Sequence, residues 1–122
     1  GDSISDDAIV IKVEGPDLPN LTLIDLPGLV RAVGDGEDAS IITRIRALVQ
    51  RYLVQERTII LAVTPANVDM HNTEILQAAK EADPKGNRTI AVLTKLDLVD
   101  KGAEGSVLEL LENRKMMLKI GF

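Results

Sequence analysis

Two apolar runs in this sequence end in polar residues whose types and spacing could bind a ligand. The run at 21–24 (LTLI) is followed by Asp25–Gly28 (DLPG), and the run at 89–93 (TIAVL) is followed by Thr94–Asp97 (TKLD). In open parallel sheets, ligands bind beyond the carboxyl ends of the strands. The sequence therefore predicts a binding site formed by these two strand ends.

The DLPG segment contains the residue types that hold a metal ion and a phosphate. The Asp25 carboxylate offers the hard oxygen that Mg²⁺ prefers, either directly or through water. Pro27 fixes one backbone angle, and Gly28 lets the main chain approach a phosphate closely enough to donate its N–H. The alternative is an ordinary strand followed by a Pro-Gly turn.

The TKLD segment contains the groups that distinguish guanine from adenine. Guanine presents its N1–H and its exocyclic amino group side by side, and the Asp97 carboxylate can accept both hydrogen bonds. The aliphatic stem of Lys95 can lie against the base while its ammonium stays in water, and Thr94 can hold the loop by local hydrogen bonds. In an extended or turning segment, positions 95 and 97 project to the same side, so both can act on one ring. The alternative is a solvated ion pair at a strand end.

Four short apolar segments predict strands, at residues 8–13, 21–24, 58–63 and 89–93. Turn-forming residues at 15–20 indicate that the first two strands form an antiparallel hairpin with a longer loop. The last two are nearly continuous apolar runs, which is typical of parallel strands covered on both faces.

Helical patterns lie between and after these strands. Apolar periodicity predicts helices over 39–53 and 73–82, with the second ending at the turn-forming residues 83–86. A third helix is predicted from Ser106 to about Leu118, with Glu109 placed to complete a capping box. The alternation of strands and helices predicts an α/β fold with a mainly parallel sheet.

The composition narrows the class of protein. The chain has 122 residues and 45% hydrophobic residues, but a single Tyr and a single Phe, so its core must be aliphatic. A net charge of −5 without a basic cluster argues against a nucleic-acid or anionic-membrane surface on this segment. The absence of cysteine excludes disulfides and thiolate metal sites and is compatible with a reducing cytosol. No apolar run approaches the length of a membrane span.

In their order and separation, DLPG and TKLD resemble the metal/γ-phosphate motif and the guanine-specificity motif of GTPases. Longer stretches resemble the GTPase domain of the dynamin superfamily, which includes dynamins and Mx proteins: LTLIDLPGLVRAVGDG, ILAVTPANVDMHNTEILQAAKEADPKGNRTIAVLTKLDLVDKGAEG and the ending GF. TKLD is closer to dynamins proper and DKGAEG to Mx proteins. The resemblance implies that residues 1–122 are part of a dynamin-type GTPase domain, with an incomplete three-layer phosphate-loop NTPase (G-domain) fold.

The resemblance implies GTP and Mg²⁺ as ligands. The residues expected to contact GTP are Asp25, Leu26, Pro27, Gly28, Thr94, Lys95, Leu96 and Asp97. Asp25 would bind Mg²⁺ through water, and the Gly28 N–H would sense the γ-phosphate. Residues 29–38 would form the second switch.

The resemblance also implies a homodimer of GTPase domains and higher self-assembly in a cytoplasmic protein, with membrane association through regions outside these residues. The loop Pro65–Asn72 would reach across the dimer, with Asp69 as the contact, and Asp100 would lie near the interface and the base. The lone His71 is expected to be a surface residue of that loop rather than a catalytic one.

The 122 residues do not contain G-x-x-x-x-G-K-[ST], the switch threonine or the base-clamping motif of GTPases. We therefore expect no catalytic residue here beyond the supporting Asp25 and Gly28, and negligible hydrolysis by this polypeptide alone. Two other functions remain open: a degenerate GTPase-like binding or scaffolding module, and an ATPase of the same fold with LTLIDLPG as its acidic strand.

Overall fold

The structure is a computed structural model that describes residues 5–29, 39–67 and 74–112. Its elements in chain order are helix α1 (Ser40–Leu53), strand β1 (Ile60–Pro65), helix α2 (Glu74–Ala82), strand β2 (Thr89–Thr94) and helix α3 (Glu104–Leu111), with a 3₁₀ turn at Leu96–Leu98 before α3. The chain divides into two compact units, Gly1–Val49 and Gln50–Phe122.

Strands β1 and β2 form a parallel pair in the second unit. The register aligns Ile60 with Thr89 and Pro65 with Thr94. Helix α2 connects the two strands, as parallel neighbours require a crossover. This arrangement, in which helices pack against a parallel pair of strands, agrees with the predicted α/β class.

The core of the second unit is aliphatic, as the composition predicted. Small and branched side chains of both strands pack against α2 and α3, and the buried members are Ile60, Ala62, Leu76, Ala79, Ala91 and Leu110. Burial of such side chains stabilises the unit by roughly 25 cal/mol for each Å² of apolar surface removed from water. The β1–α2–β2 unit is therefore held by contacts between elements that are distant in sequence.

The two-sided burial predicted for both strands is wrong for β1. Ile60, Ala62 and Thr64 are buried, whereas the alternate residues Leu61 and Val63 are 60% and 43% exposed. Successive side chains of a strand point to opposite faces, and the described helices cover one face of β1. β1 also begins two residues later than predicted, because Thr58 remains in a turn in which its N–H donates to the Gln55 carbonyl at 3.0 Å.

Helix α1 confirms its prediction closely. Its buried side chains are Ile45, Leu48 and Val49, which recur at helical spacing. The arginines of the same helix are exposed. Periodicity is informative here because one helix face is apolar and the opposite face is charged.

The predicted hairpin is wrong: residues 5–29 contain no strand. Ile9, Ile11 and Leu23 of the predicted strands are 92%, 82% and 85% exposed. The turn between them does form, with the Leu18 N–H donating to the Gly15 carbonyl at 3.4 Å. An isolated two-stranded hairpin is marginal in water and needs a third strand or a helix against its apolar face, and residues 5–29 include neither.

Helix α3 begins earlier than predicted, and the predicted capping box does not form. The residue before the helix is Ala103, and it makes no side-chain capping bond. Ser106 lies inside the first turn, with its N–H donating to the Ala103 carbonyl at 3.1 Å. The Glu104 carboxylate instead accepts the Gly102 N–H at 2.6 Å. The predicted end of this helix near Leu118, like the first residue Thr73 of the second predicted helix, lies outside the described residues.

Candidate nucleotide-binding site

The carboxyl end of β2 carries the TKLD segment and is bonded to the end of β1. The Thr94 carbonyl accepts a hydrogen bond of 2.7 Å from the Ala66 N–H, one residue beyond β1. The Thr94 hydroxyl donates to the Thr64 carbonyl over 3.5 Å, a long and therefore weak hydrogen bond. Thr94 thus ties the end of β2 to Thr64 and Ala66, whereas the sequence had suggested hydrogen bonds within its own loop.

The chain turns sharply at Lys95 directly after β2. Lys95 has φ 54° and ψ 43°, which places it in the left-handed region, and it is the sole described residue other than glycine with positive φ. The 3₁₀ turn at Leu96–Leu98 follows, with the Leu98 N–H donating to the Lys95 carbonyl at 3.1 Å. The segment therefore turns rather than extends, and the side chains of Lys95 and Asp97 are both exposed at the carboxyl edge of the sheet.

At the opposite end of β2, a buried carboxylate organises the turn that leads into the strand. Asp83 is 7% exposed, and its oxygens accept hydrogen bonds from the Asn87 N–H at 3.0 Å, the Arg88 N–H at 2.9 Å and the Thr89 hydroxyl at 2.7 Å. Burial by itself raises the pKa of this carboxyl, but the bonds from Arg88, Thr89 and Asn87 and the charge of Arg88 outweigh it, so the pKa lies below its ordinary value. Asp83 is therefore held as a carboxylate.

The Arg88 side chain joins three chain segments at the same end of the sheet. Its guanidinium donates to the carbonyls of Leu53 at 2.6 Å, Ala82 at 3.0 Å and Thr58 at 3.0 Å. Leu53 and Ala82 are the last residues of α1 and α2, where unpaired carbonyls and the helix dipole favour a cation. Arg88 thus fixes the ends of two helices against the start of β2.

The DLPG segment belongs to the first unit and has no regular secondary structure. Asp25, Pro27 and Gly28 are exposed and Leu26 is half-buried. A Cβ added at Gly28 would meet no atom within 4 Å, so packing among the described residues does not demand glycine there. Strand LTLI, which was predicted to position this segment, is absent, as described above.

The residues present fit a Mg²⁺ ion that is bound largely by nucleotide phosphates. Among the described residues, no group of three or more acidic, histidine or cysteine side chains comes together to hold a metal by itself. Mg²⁺ in nucleotide sites is commonly bound through one or two carboxylates, substrate phosphates and water. The exposed carboxylate of Asp25 suits that role.

Several predicted site residues are not tested by the described structure. Residues 30–38 of the predicted second switch, and Asp69 and His71 of the predicted dimer loop, lie outside the described residues. Asp100 is exposed, and its carbonyl accepts the Ala103 N–H at 3.0 Å in the turn before α3. The hydrogen bond from the Ala66 N–H to the Thr94 carbonyl could not be anticipated from the sequence, because every residue type except proline carries a backbone N–H.

A parallel β–α–β unit with polar residues at the carboxyl edge is the arrangement by which α/β proteins bind nucleotides. Residues 1–96 match the model of the dynamin family. The chain belongs to that family, which confirms the resemblance seen in the motifs. Among the described residues, the structure contains no helix that is both long enough and apolar enough to cross a membrane.

Similar chains carry the name interferon-induced GTP-binding protein Mx. Over 122 residues, the whole of this chain, identity is 48% to the Mx protein of Epinephelus coioides and 46% to that of Perca fluviatilis. Mx1 of Mus musculus is 48% identical over the same length. The chain spans 20%, 40% and 19% of these relatives and so corresponds to part of such proteins.

Proposed function

We propose that this chain belongs to the GTPase domain of a dynamin-like protein that binds GTP with Mg²⁺ and hydrolyses it. Membership of the dynamin family supports the proposal, and so do relatives whose names describe GTP-binding proteins. The complete domain would have the three-layer phosphate-loop fold, of which the parallel β1–β2 pair would form the central part.

The observation that carries the proposal is the turned TKLD segment at the carboxyl edge of the sheet. Because Lys95 adopts the left-handed conformation, the chain leaves β2 and presents the Asp97 carboxylate to solvent in the following turn. That carboxylate would accept the N1–H and the exocyclic amino group of guanine. The stem of Lys95 would cover the face of the base, with its ammonium in water.

At the DLPG segment, the Asp25 carboxylate would bind Mg²⁺ through water, and the Gly28 N–H would donate to the γ-phosphate. Mg²⁺, when bound, neutralises the charge that develops on the phosphate oxygens during transfer. Phosphoryl transfer depends chiefly on positioning and charge stabilisation, so Asp25 and Gly28 would orient groups rather than form bonds to phosphorus. A polypeptide restricted to these 122 residues lacks the phosphate-loop motif and is expected to hydrolyse GTP negligibly.

The proposal includes assembly of the intact protein. GTPase domains would form a homodimer through the loop Pro65–Asn72, with Asp69 contacting the partner's site and Asp100 lying near the interface and the base. Residues 29–38 would act as the second switch. Such a protein would be cytoplasmic and would associate with membranes through regions outside this chain.

The substitution Asp97→Asn in the intact protein tests the guanine assignment. Xanthine has a carbonyl in place of the exocyclic amino group of guanine, so an asparagine amide can donate where the carboxylate accepted. Because a hydrogen bond to a charged group contributes about 1.5–3 kcal/mol, the ratio of affinities for guanine over xanthine nucleotides should fall by about tenfold or more. Competition binding of GDP against XDP measures that ratio.

Asp17→Asn is the matched control, since Asp17 is an exposed carboxylate in the 15–18 turn with no role in the proposal. It should leave the ratio unchanged. Equal guanine preference in wild type and Asp97→Asn would refute the role of Asp97. Preference of the wild type for ATP over GTP would instead favour an ATPase of the same fold.

A further inference from the structure

Lys95 adopts a backbone conformation that its residue type disfavours. At φ 54° the Cβ of any residue other than glycine crowds the following carbonyl, and such residues persist only where surrounding contacts hold them. Lysine carries the Cβ that glycine lacks, and it does not make the local side-chain hydrogen bonds of asparagine. Contacts on either side of Lys95 must therefore maintain the turn.

The shorter of these contacts comes from the residue after β1. The Ala66 N–H donates to the Thr94 carbonyl at 2.7 Å, and Ala66 is 6% exposed, so water competes little for this bond. The Thr94 carbonyl belongs to the peptide that joins Thr94 to Lys95, so this bond fixes the peptide plane on which φ of Lys95 depends. On the other side, the Leu98 N–H closes the turn onto the Lys95 carbonyl at 3.1 Å.

We propose that Ala66 is a positioning residue for base recognition: its backbone N–H holds the Thr94–Lys95 peptide, keeps Lys95 left-handed and so sets the direction of the Asp97 carboxylate. The inference rests on the proposed function, because it concerns the same base-reading segment. It adds that guanine selectivity depends on the backbone at the end of β1 as well as on the side chains of TKLD. Without the Ala66 bond, Lys95 would relax to an ordinary conformation and Asp97 would lose its alignment with the base.

The test compares Ala66→Pro with Ala66→Val in the intact protein. Proline lacks the N–H, whereas valine keeps it and adds a comparable volume. The readout is the affinity of GDP relative to IDP, since inosine lacks the exocyclic amino group and the ratio reports how well the carboxylate accepts both donors. We expect Ala66→Pro to lower this ratio by about tenfold and Ala66→Val to change it by less than about twofold. An unchanged ratio in Ala66→Pro, or an equal loss in both variants, would overturn the inference.

A second pair of variants tests the conformation of Lys95 directly. This pair keeps the inference testable if Ala66→Pro does not fold. Lys95→Gly and Lys95→Val both remove the ammonium and the stem, so both should bind the two nucleotides more weakly. Glycine adopts positive φ readily and a β-branched residue resists it. The ratio of affinities for GDP over IDP should therefore stay close to the wild-type value in Lys95→Gly and fall in Lys95→Val. Equal ratios in the two variants would contradict the inference.

Nucleotide binding by the unmodified protein distinguishes failure of this inference from failure of the proposed function. If the unmodified protein binds GDP and IDP equally, the guanine assignment fails and the inference fails with it. If the unmodified protein prefers GDP and the variants in each pair behave alike, the inference alone fails.

Discussion

Replacing the buried carboxylate of Asp83 should loosen the start of β2. The substitution Asp83→Ala removes the acceptor of three hydrogen bonds, which come from the Asn87 N–H, the Arg88 N–H and the Thr89 hydroxyl. Thr89 is 2% exposed, so water cannot fully replace the lost partner of its hydroxyl. With about 1 kcal/mol of net stabilisation for each bond, the local cost is about 3 kcal/mol.

Amide hydrogen exchange followed by mass spectrometry in the intact protein measures that cost. A loss of about 3 kcal/mol corresponds to a roughly hundredfold faster exchange for amides that open when the end of β2 opens. The effect should appear in peptides that cover β2 and in the paired strand β1. Glu81→Ala is the control, because Glu81 is exposed at the end of α2 and a surface substitution there should change local stability by less than about 0.5 kcal/mol.

Exchange in β2 of Asp83→Ala that stays within about threefold of the wild type would show that the carboxylate does not support the strand. Equal acceleration of exchange in Glu81→Ala would also contradict this role of Asp83, since the effect would then belong to the end of α2 in general. Acceleration confined to residues 83–88, with β2 still protected, would show that the carboxylate holds the turn without supporting the strand.

Acid should remove the stabilisation that the Asp83 carboxylate provides. In the folded state the pKa of Asp83 lies below its ordinary value of 3.8. This stabilisation is therefore present above pH 3.8 and is lost as the pH falls through the lower folded pKa. Thermal melts followed by circular dichroism should show an acid-dependent component that is absent from Asp83→Asn, and an identical pH dependence in that variant would contradict the assignment. Arg88→Lys keeps the charge but cannot reach the carbonyls of Leu53, Thr58 and Ala82 together, so it should cost about 1–2 kcal/mol. Amide exchange at the ends of α1 and α2 checks this, and unchanged protection there would show that the charge alone suffices.

Local pattern predicted α1 and β2 well, because α1 has one apolar face and β2 is a short, nearly continuous apolar run. Helix α1 was predicted over 39–53 and runs over Ser40–Leu53, and β2 was predicted over 89–93 and runs over Thr89–Thr94. The failures concern strands whose state depends on distant partners. Residues 8–13 and 21–24 have strand composition, but a strand forms only where another strand or a helix accepts its bonds and its apolar face.

The features of the candidate site also differ in how far the sequence could predict them. Residue type and spacing pointed to Lys95 and Asp97 as candidate ligand-binding groups, since both follow directly after an apolar strand. They could not reveal the left-handed backbone of Lys95, because lysine rarely adopts that conformation. Nor could they reveal the bond from Ala66, whose side chain has no polar atom.

By itself, the sequence indicated the dynamin family and pointed to the DLPG and TKLD segments as candidate nucleotide-binding residues, because motif chemistry and spacing are properties of residue order. Tertiary structure decided where those residues point. The parallel register of β1 and β2 brings Ala66 to Thr94 across 28 residues of chain, and that backbone contact holds the turn at Lys95. Such contacts depend on the packing of α2 and α3 over the sheet, which no local stretch of sequence encodes.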